Sequence, residues 1–445
     1  MLCHELLLLT LSLGQATGSI LSQQQPLGVG YQAAFDPTSA SPPAYRDDLL
    51  ALHKNLVDIS STTGAEHDVG AFLIDYFISR SWHYEVEKVV PRNNTPEGRD
   101  RLNVVAWPPS KNSKHGDNNK KPDPKVLVTS HIDVVPPHIP YSITDGGKKV
   151  TRATVIAGRG SVDAKGSVAA QLAAVEDLLA RGLVAPEDIM VAYVVGEERY
   201  GDGMQAFSER ARSSSLAFKA AIFGEPTENK LACGHKGGMV CEVTARGKAG
   251  HSGYPWLGKS ANEVLMRGLL RVLEADLGSS ERYGNTTVNV GLMQGGVAPN
   301  VIPAHASANL MCRVAIGPQE TGHEAVREKI KAVLASVDDE ALSVDCPGGV
   351  GVVPCDCEVD GKCYLSHAVD SGDTIETNDN NSVGFDTIVA NYGTDIPFLE
   401  GNHTRYLYGP GTILVAHGDN EALTVGDLED AVEGFQKLIL HSLKL

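Results

Sequence analysis

The 445-residue sequence is short of positive charge. Its 38 Lys and Arg stand against 55 Asp and Glu, a formal net charge of −17. A surface of that sign repels polyanions, which excludes nucleic acid and anionic membranes as partners. No apolar run is long enough to span a bilayer. The run nearest the start, Leu6–Leu13, is too short, and it lacks a basic flank, since only His4 and Glu5 stand immediately before it. The small residues Ala16-Thr17-Gly18 follow, so residues 1–18 read as a secretory signal peptide. No C-x-x-C pair is present, which argues against a cysteine-bound zinc site. No internal repeat of fixed period is found.

The remaining composition is that of an ordinary globular protein, with 42% apolar and 21% charged residues. The length suffices for two or three domains. Four glycosylation triplets, at Asn93, Asn285, Asn380 and Asn402, agree with secretion to the extracellular space. Of the eight cysteines, Cys3 would leave with the signal, and an odd seven remain. Cys346, Cys355, Cys357 and Cys363 cluster in a Gly- and Pro-rich segment. Disulfides are expected there, with three pairings open among the four.

Residues 19–44 are polar, Pro-rich and aperiodic, a leader with little structure of its own. From Tyr45 two helical patterns follow, then strands at "HYEVEKVV" and "LNVVAW". The runs "KVLVTS", "IMVAYVVG", "AAIFGE" and "TILVAH" are continuous and apolar, as strands buried on both faces must be. With the helix in "GSVAAQLAAVEDLLARG" they predict an α/β/α domain with a mostly parallel sheet. Residues 237–346 differ. They alternate like half-solvated strands and run β-α-β-β-α-β, a ferredoxin-like α+β unit inserted in the larger domain. The expected organisation is a catalytic domain in two parts, 45–236 and 347–445, around a lid at 237–346.

The apolar runs share one property. "VLVTSHID" ends in His131 and Asp133, "VAYVVGEE" in Glu197 and Glu198, "AIFGE" in Glu225, and "ILVAH" in His417. Ligands of open α/β sheets bind beyond the carboxyl ends of the strands. These side chains could therefore meet on one rim, with Asp163 of "GRGSVDAKG" placed where a helix begins. Each residue alone has a bland explanation, as a turn, a helix cap or a surface group. Their conjunction on separate strands of one polarity does not.

The motifs "SHIDVVP", "GRGSVDAKG", "VVGEERYG", "GEPTE", "KAGHSGYP", "PNVIP" and "YGPGTILVAHGDNEALTVGDL" resemble, in order, the zinc exopeptidase/aminoacylase family. That family includes glutamate carboxypeptidase, acetylornithine deacetylase, succinyl-diaminopimelate desuccinylase and aminoacylase. The resemblance covers roughly residues 45–445. It implies a centre of two Zn2+ ions, with Co2+ or Mn2+ as alternatives. Asp163 would bridge both ions; His131 and Glu225 would complete one, Glu198 and His417 the other. Glu197 would be the general base toward a water shared by the ions, since adjacent Glu197 and Glu198 cannot both face the metals from a regular strand. Asp133 lies two residues after His131 and would accept its other ring N–H.

The resemblance further implies that His251 of the lid donates to the developing oxyanion. Asn300 and Arg313 would hold substrate, the Arg313 guanidinium suiting a carboxylate. Gly393, Thr394 and Asp395 would shape a substrate loop. The implied activity is that of a metallo-carboxypeptidase, with N-acyl-amino-acid deacylation as the alternative and a homodimer through the lid as the assembly. The long Cys-rich stretch 346–384 and the leader depart from the commoner pattern.

Overall fold

The structure, a computed structural model, describes residues 41–109, 123–199, 201–359, 362–363 and 384–445. The signal peptide, nearly all of the leader, Asn380 and the Cys363 side chain lie outside the described residues. Among the described residues no helix is long and apolar enough to cross a membrane.

Helices α1 (Arg46–Asp58) and α2 (His67–Ser79) precede two strands, β1 (His83–Val89) and β2 (Arg101–Trp107). Then come β3 (Val126–His131), α3 (Lys165–Ala180), β4 (Ile189–Val194), α4 (Asp202–Ser213), β5 (Ala220–Gly224) and β6 (Leu231–His235). The inserted unit is β7 (Gly237–Arg246), α5 (Ala261–Glu274), β8 (Thr287–Gly295), β9 (His305–Val314), α6 (Gly322–Asp338) and β10 (Leu342–Asp345). The chain then returns through β11 (Val353–Pro354), β12 (Thr387–Ala390), β13 (Thr404–Tyr408) and α7 (Val425–Ser442).

The main sheet has six strands in the order β1-β2-β4-β3-β5-β13. β4, β3, β5 and β13 are mutually parallel, and β1 and β2 add an antiparallel edge. The continuous apolar runs follow from this position. Val126 and Val128 pack toward α1, α2, α3 and α7, while Leu127 packs with Met204 and Phe207 of α4 on the other face. Full burial of each such side chain contributes about 1.5–3 kcal/mol, so both faces of these strands must be apolar. The expected α/β/α architecture is what the chain adopts.

The inserted unit has its own core, built around Cys241, Val243, Leu265, Leu310 and Ile330. Its sheet runs β8-β9-β7-β10 with every pairing antiparallel. Burial alternates along β7, as a sheet with helices on one face requires. Together with the helix positions this is the ferredoxin-like arrangement.

Two expectations are corrected. "TILVAH" is not a strand. Residues 412–418 form successive turns, with Val415 N–H donating to the Thr412 carbonyl and Ala416 N–H to that of Ile413. Gly411 before them and His417 within them both have a left-handed φ, outside the β region, and Leu414 is 86% exposed. The strand that closes the parallel sheet is β13, "TRYLY", whose Tyr406, Leu407 and Tyr408 are buried. The clustered cysteines also do not pair with one another in the two disulfides seen. Cys346 bonds Cys241 within the inserted unit, and Cys357 bonds Cys233 on β6. Cys312 and Cys355 are free and buried.

Candidate metal centre

Strand register builds the site. In the parallel pairing His131 is level with Val194 and Ser130 with Gly224. β3, β4 and β5 therefore end together, and the residues just beyond them share one rim. Those residues are His131, Glu197 with Glu198, and Glu225. Gly196 has φ 83°, and this left-handed turn lets the chain leave β4 and present two consecutive glutamates. Asp163 arrives from the turn before α3 and His417 from the turns after β13.

The imidazoles face the same carboxylate. His131 Nε2 lies 3.0 Å from Asp163 Oδ1, and His417 Nε2 lies 3.4 Å from Asp163 Oδ2. Asp163 thus spans both rings, one oxygen each. His131 Nε2 is also 3.7 Å from Glu225 Oε1, and His417 Nε2 is 3.0 Å from Glu198 Oε2. Among the described residues Glu197 makes no ion pair with either ring. The ligand atoms of His131, Glu197 and Glu225 lie within 4.8 Å of one another, and so do those of Asp163, Glu198 and His417.

Asp133 is buried beside His131, but the predicted contact is shared differently. The ring N–H at Nδ1 of His131 donates to the backbone carbonyl of Asp133 at 2.9 Å, while the carboxylate stands 3.6 Å away. That carboxylate instead accepts the N–H groups of Gly196 (2.8 Å), Glu197 (3.1 Å) and Glu198 (3.3 Å), and the Thr63 hydroxyl (2.8 Å). Asp133 therefore orients the Glu197–Glu198 turn directly and fixes the His131 tautomer through its main chain.

The electrostatics show what the cluster wants. Burial and the neighbouring Glu225 push the Glu197 carboxyl well above its usual range. Burial does the same to Glu225, with His131 offsetting part of it. Burial and Asp163 push Glu198 up to about 6. Hydrogen bonds that its ring donates to Asp163 and Glu198 hold His417 up at about 10. Burial opposes a charge on His131, yet the Asp133 and Asp163 carboxylates keep its pKa well above the ordinary value. Burial would raise Asp163 too, but both imidazoles hold it low. Four carboxylates around two rings make a cage short of positive charge. Mixed imidazole and carboxylate oxygen donors in two sets suit a pair of divalent cations.

The other expected residues fall at two distances from this cage. Arg313, near the end of β9, is half-buried beside Gly393; burial lowers its pKa while Glu197 and Glu198 oppose that shift, so its charge bears on the cage. Thr394 and Asp395, which follow Gly393 in sequence, are buried. The Thr394 hydroxyl meets His235 Nε2 at 3.0 Å, and burial, partly offset by His131, pushes Asp395 up to about 8. His251 and Asn300 are exposed on the inserted unit. They are neighbours, with Ser252 N–H donating to the Asn300 carbonyl at 3.1 Å and His251 bridging to Val301. No hydrogen bond or ion pair among the described residues joins either to the cage.

With this geometry in place, similarity identifies the lineage. Over 441 residues the chain is 48% identical to a peptidase M20 domain-containing protein of Sordaria macrospora, covering 95% of this chain and 91% of that one. The chain belongs to the M20 peptidase family. Residues 233–341 match the M20 peptidase dimerisation domain, the segment that holds β7, α5, β8, β9 and α6. A probable carboxypeptidase of Aspergillus oryzae is 41% identical over 447 residues, 95% of this chain and 94% of the relative. The fold of this M20 metallopeptidase is shared with a tripeptidase from Staphylococcus aureus, at TM-score 0.63 and 20% identity over 90% of this chain and 99% of the other.

Around the M20 site stand residues to which the sequence lent no role. Arg101 is buried and bonds Glu66 at 2.9 Å and Asp202 at 2.6 Å, bracing the turn after β4 from behind. Arg159 and Glu421 form a second buried pair, at 2.6 Å. Both lie inside the motifs "GRGSVDAKG" and "GDNEALTV", but nothing local shows which distant backbone groups they reach.

Proposed function

We propose that this M20 peptidase is a secreted, dizinc carboxypeptidase that cleaves the amide bond next to a free carboxylate. The observation that carries the proposal is the division of labour among the carboxylates. Asp163 touches both imidazoles, Glu225 and Glu198 attend one each, and Glu197 pairs with neither ring while its charge bears on the lid-borne Arg313. In this reading His131, Asp163 and Glu225 hold one ion, and Asp163, Glu198 and His417 hold the other. When bound, the ions would polarise the scissile carbonyl and acidify a shared water.

The chain's own residues supply the rest. Glu197 Oε takes the proton from water and hands it to the leaving amine nitrogen, as a carboxylate raised by burial is suited to do. Asp133 keeps Glu197 aimed by gripping its backbone N–H. Arg313 takes the substrate carboxylate with its fork of N–H groups. His251 and Asn300, exposed on the lid, would reach the carbonyl oxygen and the substrate from across a homodimer. Met266, Leu270 and Leu273 on α5, with Leu292 and Met293 on edge strand β8, are each at least 50% exposed and support such a pairing. Secretion is supported by the N-terminal apolar run, by the two disulfides and by the exposure of Asn93, Asn285 and Asn402.

The test is a panel of dipeptides and tripeptides presented with a free or an amidated C-terminus. The free acids should be cleaved and the amides refused, with at least a 100-fold preference. Equal cleavage of both would reject the carboxypeptidase reading. Faster turnover of N-acetyl amino acids than of peptides would move the assignment to a deacylase.

A further inference from the structure

Asp163 and His417 do not stand at strand ends. They sit on irregular backbone at two turns far apart in the chain, and His417 holds a left-handed φ of 64° without being glycine. Isolated turns of this kind would wander, and a metal would have to order them on binding. One buried ion pair gathers both. Glu421 Oε1 accepts the N–H groups of Gly160 (2.9 Å), Val162 (3.0 Å) and Asp163 (3.1 Å). Glu421 Oε2 takes Arg159 Nη1 at 2.6 Å, and both side chains are 1% exposed. Arg159 spends its other donors on carbonyls: Nη1 on Gly418 (3.0 Å), Nη2 on His417 (3.3 Å) and Nε on Pro137 (3.3 Å). Arg159, itself part of the turn before Asp163, thus ties that turn to the segment after His131 and to the turn carrying His417.

We propose that Arg159 and Glu421 are positioning residues that preassemble the Asp163–Glu198–His417 half of the centre and set the chain's affinity for the ion bound there. The inference rests on the two-ion reading above and deepens it. The opposite half depends on this device less, because it shares only Asp163, and its other two ligands, His131 and Glu225, sit at the ends of strands already hydrogen-bonded in the middle of the sheet. The pair also explains why Glu421, an acidic side chain packed behind the cage, is not itself a ligand. Its two oxygens are committed to three backbone N–H groups and a guanidinium. Residues that orient metal ligands typically change affinity by about 10–100-fold when replaced.

The test titrates Co2+ into the chelated full-length protein, reading bound metal and the visible spectrum, for wild type, Glu421→Gln and Arg159→Lys. Phe435→Leu, in the core of α7, serves as a control for mere loss of stability. Wild type should bind two ions in separable steps. Both variants should bind the second about 10–100-fold more weakly and the first with a distinctly smaller loss, with turnover returning in excess metal and KM little changed. The control should lose thermal stability without separating the two affinities. Unchanged affinity for both ions, equal weakening of both, or collapse of the fold in both variants would overturn the proposal. A wild type that binds fewer than two ions would instead overturn the two-ion reading itself.

Discussion

The catalytic sheet and the inserted lid solve the folding problem in opposite ways. In the sheet, β3, β4 and β5 are buried along their whole length, so every side chain is committed to packing until the strand ends. Chemistry is therefore pushed to the rim, where His131, Glu197, Glu198 and Glu225 appear in succession. In the lid, β7 and β9 alternate buried and accessible positions, so polar side chains can be placed along a strand as well as beyond it. Arg313 is such a residue, set one position before the end of β9. In the proposed reading the sheet thus concentrates charge for reaction, and the lid distributes groups for recognition.

The largest effect should come from Glu197→Gln, which breaks the reaction while leaving recognition alone. General acid–base contributions run to about 10²–10⁴-fold, and kcat should fall by that amount with KM nearly unchanged. Metal analysis should still find two ions per chain, because Glu197 pairs with neither imidazole. Loss of an ion would make Glu197 a ligand, and undiminished kcat would strip it of its role.

Arg313→Ala should do the reverse. Hydrogen bonds to a charged group contribute about 1.5–3 kcal/mol, so kcat/KM should drop about 10–100-fold, mostly through KM. Arg313→Lys should recover part of the loss, since it restores charge but not the planar fork. If Arg313→Ala lowered kcat at constant KM, the lid would be taking part in the reaction and the contrast between the two regions would fail.

The same contrast explains what could be read in advance. His131, Glu198 and Glu225 are legible together because several continuous apolar runs of one polarity each stop at a metal-capable residue, a conjunction that the bland explanation of each one alone does not cover. The lid was visible because its period changes from continuous to alternating. His417 lies beside Asp163 and Glu198, but it reaches them from a turn and not from a strand end. "TILVAH" has strand composition, but Gly411 and the left-handed His417 force turns, and φ is not written in hydrophobicity. Asp133 was expected to serve His131 with its carboxylate, which in fact serves the backbone of the next strand's turn. Such a bond joins residues 63–65 positions apart and leaves no local trace. The same holds for Arg159 with Glu421, 262 positions apart, and for the two disulfides, whose partners lie outside the cysteine cluster that draws the eye.

The last effect concerns acid, and it separates the regions by stability rather than by activity. His53 on α1 is fully buried under the turn that carries Asp163, with Nε2 3.0 Å from the Ser161 carbonyl. His235 on β6 is fully buried against Thr394. Burial pushes each pKa down from 6.5 to about 4. Above pH 6.5 both are neutral whether the chain is folded or not, and they cost nothing. Between 6.5 and 4 the unfolded chain binds protons that the folded chain refuses, so stability falls as pH falls. Each group accounts for about 3 kcal/mol once the pH is below 4. The cores of the lid elements β7 through β10 hold no histidine of this kind except His323 on α6, where burial lowers the pKa more modestly. Hydrogen exchange at pH 4.5 against pH 7 should therefore show α1 and the 158–163 turn losing protection before β7 and β9. Lid peptides that open first, or melting temperatures that do not change between those pH values, would show that the two regions do not differ in this respect.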